Sequence, residues 1–431
     1  MANMLALVEC TFLKRANGIL LIYNHLPVDD APTIIDHLES FSKYSQFKVW
    51  KVNALYGFPS FLKDYEFSTI VLHYSQWGGA MSSAAKPLYD WLEQQNSHKI
   101  QFCQDENYNC GYRFSFINRM RIDWIYSPLA PKYHQQIYGL KCPQVKKVFH
   151  TLCGYVSDNM VAKANRFYKP NLDRPLDVGY RGRVLPPYLG RGAMEKQEMG
   201  LGFLARANGS GLKLDIDVNE QHRLYGDDWY RWLSNCKTVL GVEGGGSIFD
   251  VDDEVWNEYW KKPRSYEEMP QELMKKYDGK VFYQHFTPRH LEAAASRTLQ
   301  VLFEGNYYGI MKPWEHYVPL KKDFSNFNEV VQSIKNFSTR MDIISKCYRD
   351  LIESQKFTYR KFIGQFDQNL LDAGFSPSIE PELASQIEAQ LNAYVKSQRI
   401  HRALETLIAA TYHKQFLGRN IVAKIYHTVR Q

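Results

Sequence analysis

Long apolar runs are missing from these 431 residues. No stretch approaches the ~18 consecutive apolar residues that a membrane-spanning helix needs. The longest, 18–23, reads instead as a short buried strand. Cysteine is sparse: the seven, at 10, 103, 110, 142, 153, 236 and 347, form no C-x-x-C pair. An odd count without such spacing points to reduced thiols and a cytoplasmic protein, not to a disulfide framework. The N-terminus carries no signal-peptide pattern. No G-x-G-x-x-G follows a strand, which argues against a nicotinamide-dependent dehydrogenase. The Gly-rich stretch at 244–247 lacks the Lys-Ser/Thr ending of a P-loop. There is no strong basic stripe either, so nucleic acid is not an expected partner. The net charge of +7 suits an acidic small ligand or an anionic membrane face.

What is present is apolar and aromatic. Apolar residues make up 45%, with 29 Tyr, 24 Phe and 9 Trp, enough for large cores with rings left over for clefts. The length suggests about two to three domains. Up to residue 170, short apolar runs (18–23, 47–52, 69–74, 99–103, 122–127, 146–151) alternate with helical patterns (31–43, 79–95, 132–138). That alternation predicts a parallel sheet covered by helices. Asp29 or Asp30 is the expected cap of the first helix, with Pro32 in its opening turn. A Pro-rich stretch around Pro170 and Pro175 reads as the linker. A second series follows, with strands near 176–181, 212–217, 238–243, 280–284 and 299–304, and helices near 193–207, 220–235, 254–261, 268–277 and 289–297. Past residue 327 only helix is expected. The predicted division is therefore 1–170, 171–330 and a helical extension 331–431, with a ligand cleft at the carboxyl ends of the strands.

Several segments carry a family likeness. They are Phe102-Cys-Gln-Asp-Glu-Asn-Tyr108; Asp177-Val-Gly-Tyr-Arg-Gly-Arg183 with Gly190 and Glu195-Lys196; Trp232-Leu; and Leu240-Gly-Val-Glu-Gly-Gly-Gly-Ser-Ile-Phe-Asp250. Pro288-Arg-His-Leu-Glu-Ala-Ala294, Leu302-Phe-Glu-Gly305 and His316-Tyr-Val-Pro-Leu320 complete the series. In order and spacing, over roughly 99–330, they resemble bacterial GT-B glycosyltransferases of surface-polysaccharide (O-antigen and capsule) biosynthesis. The resemblance implies an α/β protein with two Rossmann-like doubly wound domains facing across a cleft. It also implies sugar transfer from a nucleotide donor (UDP-, GDP- or CMP-linked) and no obligatory metal or other cofactor. The expected partners are the nucleotide sugar and a glycan or lipid-linked acceptor.

Glycosyl transfer passes through an oxocarbenium-like state and expels a phosphate, so carboxylates, cations and backbone N–H groups should converge. In similar enzymes an Arg and a Lys placed like Arg183 and Lys196 reach the donor phosphates. Glu243, at a strand end beside Gly244, Gly245 and Ser247, is a candidate catalytic carboxylate over an anion nest. His285 and Arg289 flank a helix start suited to phosphate. Retaining relatives place two carboxylates eight positions apart; here Gln284 fills the first position and Glu292 the second, which leaves Glu292 for the ribose. Glu304 is a further donor contact. Asp105 and Glu106, at a strand end of the first half, are candidate bases for an acceptor hydroxyl, or else loop and cap residues. Two D-x-D patterns, at 215–217 and 250–252, are read as ordinary acids and not as metal ligands. From Tyr394 onward seven basic residues face one acid, a net +6. Leu404, Leu407, Ile408, Tyr412 and Phe416 there keep helical spacing. Such a helix packs on the protein or lies peripherally on the inner face of an anionic membrane. The rival reading is an inactive scaffold that binds sugar nucleotide or glycan.

Overall fold

The computed structural model describes residues 13–25, 32–76 and 85–398. Asp29, Asp30, and the greater part of the basic tail (399–431) lie outside them. In the first half six strands form one parallel sheet: β1 (Lys14–Tyr23), β2 (Val49–Asn53), β3 (Tyr65–Leu72), β4 (His98–Phe102), β5 (Trp124–Ser127) and β6 (Lys147–His150), in the order β2-β1-β3-β4-β5-β6. All six match the apolar runs of the sequence. Both faces are covered, so the strands read as continuous apolar runs without alternation; Ile19 to Ile22 are all at most 1% exposed. The helices between them are α1 (Pro32–Tyr44), α2 (Lys86–Glu93), α3 (Cys110–Arg119) and α4 (Asp158–Arg166). The last two went unread in the sequence, although the Ser157 hydroxyl caps α4 by accepting from Met160 N at 2.9 Å. The expected helix at 132–138 is only a tight turn followed by a π-turn.

The second half holds β7 (Leu176–Arg181), α5 (Arg191–Arg206), β8 (Leu214–Asp217), α6 (Gly226–Leu233), β9 (Cys236–Gly241), β10 (Gly244–Gly246), α7 (Glu254–Lys261), α8 (Gln271–Tyr277), β11 (Tyr283–His285), α9 (Pro288–Ala295), β12 (Leu299–Phe303) and β13 (Val318–Leu320). Its five-stranded parallel sheet runs β13-β12-β9-β7-β8. One expectation is corrected here. The 280–284 run does not enter this sheet; β11 pairs antiparallel with the glycines of β10. Its apolar residues are buried for another reason: Val281 and Tyr283 pack into the core of the first half. The fifth strand is β13 instead. It contains Pro319, which an edge strand tolerates because its missing N–H faces away from the ladder.

The helices beyond residue 327 do not stand apart as an extension. α10 (Phe327–Lys335) and the start of α11 (Phe337–Tyr348) pack on the second sheet. The chain then returns: α12 (Tyr359–Asp372) lies against α1 and the first sheet, and α13 (Pro381–Ser397) buries Ile387 beside Tyr65 and Phe67. The architecture is thus two Rossmann-like doubly wound domains across a cleft with C-terminal helices tied to both, the GT-B arrangement. Among the described residues no helix is long and apolar enough to cross a membrane.

Candidate functional site

In each sheet the strand order reverses next to the first strand, between β1 and β3 and between β7 and β9. Ligands of doubly wound sheets sit at such points, outside the carboxyl ends of the strands. A cleft of about 320 Å³ lies there. Its walls come from the ends of β7 and β9, from α9, and from the loop before α6. The first half contributes Pro32, Thr33, Gln104 and Asp105.

Five cations line it: Arg181, Arg183, Lys196, Arg223 and Arg289. Three are already engaged. Arg181 grips Asp215 with two bonds of 2.8 and 2.7 Å and lies over Trp232. Arg223 pairs with Glu220. Arg289 donates to the Arg181 carbonyl at 2.5 Å and stacks its guanidinium over Trp229. The side chains of Arg183 and Lys196 make no hydrogen bond or ion pair among the described residues. Burial first, then the repulsion of Arg183, with smaller parts from Arg289 and Arg223, lowers the Lys196 ammonium to about 7, while Asp105 pulls the other way. Five clustered cations, two of them with side chains outside any ion pair among the described residues, suit an anion. The local fold supports it: a side chain at Gly182 would strike the Tyr180 ring at 2.6 Å and the Lys196 carbonyl at 2.9 Å, so only glycine lets the strand end approach α5.

Glu292 lines the same cleft and accepts the Trp229 indole N–H at 2.7 Å. Burial raises its carboxyl, and Arg289 opposes that rise. Trp229 and Trp232 stack with centroids 5.1 Å apart. Together with Arg223 and Tyr225 they form an aromatic and basic wall; of the four only Trp232 was singled out from the sequence, though the spacing Arg223, Tyr225, Trp229, Trp232 is visible in it.

Asp105 faces these groups from the other half, following β4. Its carboxylate makes no hydrogen bond among the described residues and acts electrostatically on Lys196 and His285. His285 is buried, with its ring 3.5 Å from the Cys153 sulfur. Burial lowers it to about 4, so the imidazole is neutral at pH 7.

Other expected residues are placed elsewhere. Glu106, next to Asp105, turns inward. Its carboxylate accepts the hydroxyls of Ser127, Tyr138 (3.1 Å) and Tyr283 (2.7 Å), a link between the halves that leaves it no access to an acceptor. Glu243 also leaves the cleft wall. It is 4% exposed and accepts the backbone N–H of Tyr307 at 2.7 Å and that of Asn306. It therefore braces the loop after β12. Gly244 and Gly245 do line the cleft, but as ladder strand and not as an open nest. Gly245 has φ +75, and a side chain there would sit 2.1 Å from the Tyr283 carbonyl. Ser247 accepts from Gly192 N at 2.7 Å, tying β10 to α5. Glu304 is exposed at the end of β12, outside the cleft lining. The D-x-D acids are all engaged: Asp215 by Arg181, Asp217 by His222, Asp250 by the N-terminus of α7, and Asp252 by Lys141.

No family model and no curated protein matches this chain. Solved structures resemble it in fold. An α-glucosyltransferase in complex with UDP and a DNA containing an HMU base is 10% identical, covering 84% of this chain and all of its own, with TM-score 0.48. Sucrose-phosphate synthase from Thermosynechococcus elongatus is 11% identical over 83% of this chain and 99% of its own, TM-score 0.47. T4 phage BGT in complex with UDP-glucose is 11% identical over 82% and 99%, TM-score 0.47. These likenesses concern the fold; the chemistry is argued from the cleft.

Proposed function

We propose that the chain is a glycosyltransferase that moves a sugar from a UDP-, GDP- or CMP-linked donor to a glycan or lipid-linked acceptor. One observation carries the reading. Arg183 and Lys196, whose side chains make no ion pair among the described residues, meet at the switch point of the second sheet and face the Asp105 carboxylate across the cleft. Cations on one wall suit the departing phosphate, and an acid on the other suits an incoming hydroxyl.

The roles follow from position. Arg183 and Lys196 bind the phosphates, with Arg289 beside them. Glu292, already oriented by Trp229, has a second oxygen for a ribose hydroxyl. Gly244 and Gly245 admit the donor close to the backbone. His285, neutral, can share a proton with an acceptor hydroxyl next to Asp105. Glu243, Glu106, Ser247 and Glu304 support the frame and the loops. On this reading the side-chain cations neutralise the leaving group in place of a divalent ion. The basic segment after Tyr394 would hold the cleft near a lipid-linked acceptor by pairing with anionic headgroups, at about 1 kcal/mol for each Lys or Arg near the surface.

Titration calorimetry of the full chain with UDP-, GDP- and CMP-linked sugars tests the donor half of this reading. Turnover assays with glycans, lipid-linked saccharides and a DNA duplex then sort the acceptor. Failure of every nucleotide sugar to bind would remove the reading.

A further inference from the structure

The chain between β10 and β11 is far longer than the pairing of those strands requires. Two residues can join an antiparallel pair, yet residues 247–282 leave the hairpin and build α7 and α8. Packing accounts for the inner side of this excursion. Asp253 accepts from Gly111 N at 2.8 Å, and Phe249 and Val281 enter the core of the first half. The outer side has no such account. On α7, Trp256, Tyr259 and Trp260 keep i, i+3, i+4 spacing and share one face. Their rings continue a series that starts in the first half. Tyr108 stacks on Trp256 with centroids 5.2 Å apart, and Trp256 lies 5.5 Å from Trp260. Tyr188 lies 4.8 Å from Trp256 and 5.1 Å from Tyr259. Tyr188 is buried, whereas Trp260 at the outer end is 55% exposed. A large ring left in water at the end of a packed series is contact area that the fold itself does not use.

Beside these rings runs a groove of about 450 Å³. Val184, Pro186 and Pro187 line it from the loop after β7, and Tyr259 and Tyr266 from α7 and the segment that follows. Two features tie the groove to the cleft. Arg183 lines the cleft and Val184, the next residue, lines the groove, so a single loop divides the two. At the inner end of the ring series, Tyr108 stands three positions after Asp105, on the loop that reaches the cleft from the first half.

The charges around the groove select its occupant. They are Arg191, Arg264, Glu198 and Glu267, two of each sign. Arg191 pairs with Glu198 at 2.5 Å, and Arg264 with Glu258 at 2.7 Å. A nucleic-acid backbone or an anionic headgroup would meet no net positive charge here. A hydrocarbon chain would strip water from these groups without pairing them. A neutral saccharide suits both features, since its C–H faces lie flat on rings and its hydroxyls bond to carboxylates and guanidinium groups. On the glycosyltransferase reading above, we infer that the acceptor is an uncharged oligosaccharide. Its reacting end enters the cleft, and the units behind it lie in the groove against Val184 and Tyr259 and, further out, Trp260.

The test is calorimetry of the full chain with neutral saccharides one to five units long, in the glucose, galactose, mannose and N-acetylglucosamine series. In at least one series affinity should climb ~tenfold or more from the single sugar to five units, the scale of two ring contacts. Trp260→Ala should weaken the long saccharide ~fivefold or more, as truncating an interface tryptophan does. Because Trp260 is more than half exposed, its loss opens no cavity in a core. Val184→Glu, at a position 58% exposed, puts a charge on the opposite side of the groove and should give the same loss. Affinity that does not grow with length in any series, or growth indifferent to both variants, would overturn the inference. So would binding of phosphatidylglycerol vesicles or of a DNA duplex that Trp260→Ala abolishes, since the surface would then belong to that partner. Titration of the same protein with nucleotide sugars keeps the two readings apart. Donor binding without saccharide binding removes this inference alone. Absence of donor binding removes the glycosyltransferase reading, and the acceptor role with it, even where the saccharides bind.

Discussion

Lys196 offers a sharp test of the phosphate site, because its charge is not guaranteed. An ordinary lysine titrates at 10.5, and here burial and three neighbouring guanidinium groups lower it to about 7. Without ligand, only about one Lys196 in ten carries its proton at pH 8, against about nine in ten at pH 6. A diphosphate beside it restores the proton, since an opposite charge raises a lysine. Donor binding at pH 8 should therefore take up about 0.9 proton, and the dissociation constant should rise about tenfold, or about 1.4 kcal/mol, from pH 6 to 8. The donor must be an intact nucleotide sugar, whose phosphates do not titrate near neutrality. Calorimetry in two buffers of different ionisation enthalpy reads the proton directly. Lys196→Arg keeps the charge at every pH, so its affinity should be flat over the same range. For the empty protein the sign is opposite. The folded value lies below the unfolded one, so between about 7 and 10.5 the unfolded chain holds more protons and the Lys196 contribution to stability rises with pH. A flat wild-type affinity from pH 6 to 8 without proton uptake would show that Lys196 does not meet the phosphates.

Four further outcomes follow from the same geometry. Arg183→Ala should weaken donor binding by about 1.5–3 kcal/mol, the range for a charge-assisted hydrogen bond, without shifting the thermal midpoint, because the side chain is exposed; calorimetry and melting together read this. Glu292→Gln should reduce the preference for a ribonucleotide donor over its 2′-deoxy or 3′-deoxy analogue, measured by competition; unchanged preference would take Glu292 off the ribose. Glu243→Ala should act on stability, leaving two backbone N–H groups without their acceptor at a cost of about 1–3 kcal/mol for each, visible in a urea titration. Chelation of divalent ions by EDTA should leave turnover unchanged, and a loss restored by Mg²⁺ would show that the guanidinium and ammonium groups do not suffice.

The sheets were legible because burial on both faces writes itself into the chain. Ile19–Ile22, Ile70–Leu72 and Val239–Leu240 are apolar whichever way they point, so the strand runs stand out at the right places. The same signal misled at 281–284. An apolar run records that a segment is buried and not which core buries it, and Val281 and Tyr283 belong to the first half's core although they follow the second half's helices. The missed β13 is the converse case. Three residues with a central proline carry little periodicity, and their strand character comes from pairing with β12. The helices after 327 were legible as helices, but their division between the two halves depends on contacts such as Tyr359 N with the Val156 carbonyl, 203 positions earlier in the chain.

For the site, sequence order located strand ends, and strand ends are where a doubly wound fold puts its chemistry. That is why Arg183, Lys196, Arg289, Glu292, His285 and Asp105 meet at one cleft although as much as 187 positions separate them. What a strand-end position leaves open is the direction of the side chain. Asp105 and Glu106 are adjacent, equally acidic and equally near the end of β4. One turns into the cleft, and the other turns into a nest of hydroxyls because Ser127, Tyr138 and Tyr283 converge beneath it. Glu243 looked like the stronger catalytic candidate because it borders three glycines. Those glycines serve close packing instead: Gly245 clears the Tyr283 carbonyl and Gly246 clears the Leu189 carbonyl. The carboxylate meanwhile satisfies two N–H groups that would otherwise be buried without partners. A buried acid with such donors is fully explained by the fold. An acid held in a left-handed turn by a rigid loop on the wall opposite the cations, with no hydrogen bond to its carboxylate among the described residues, is not explained in that way.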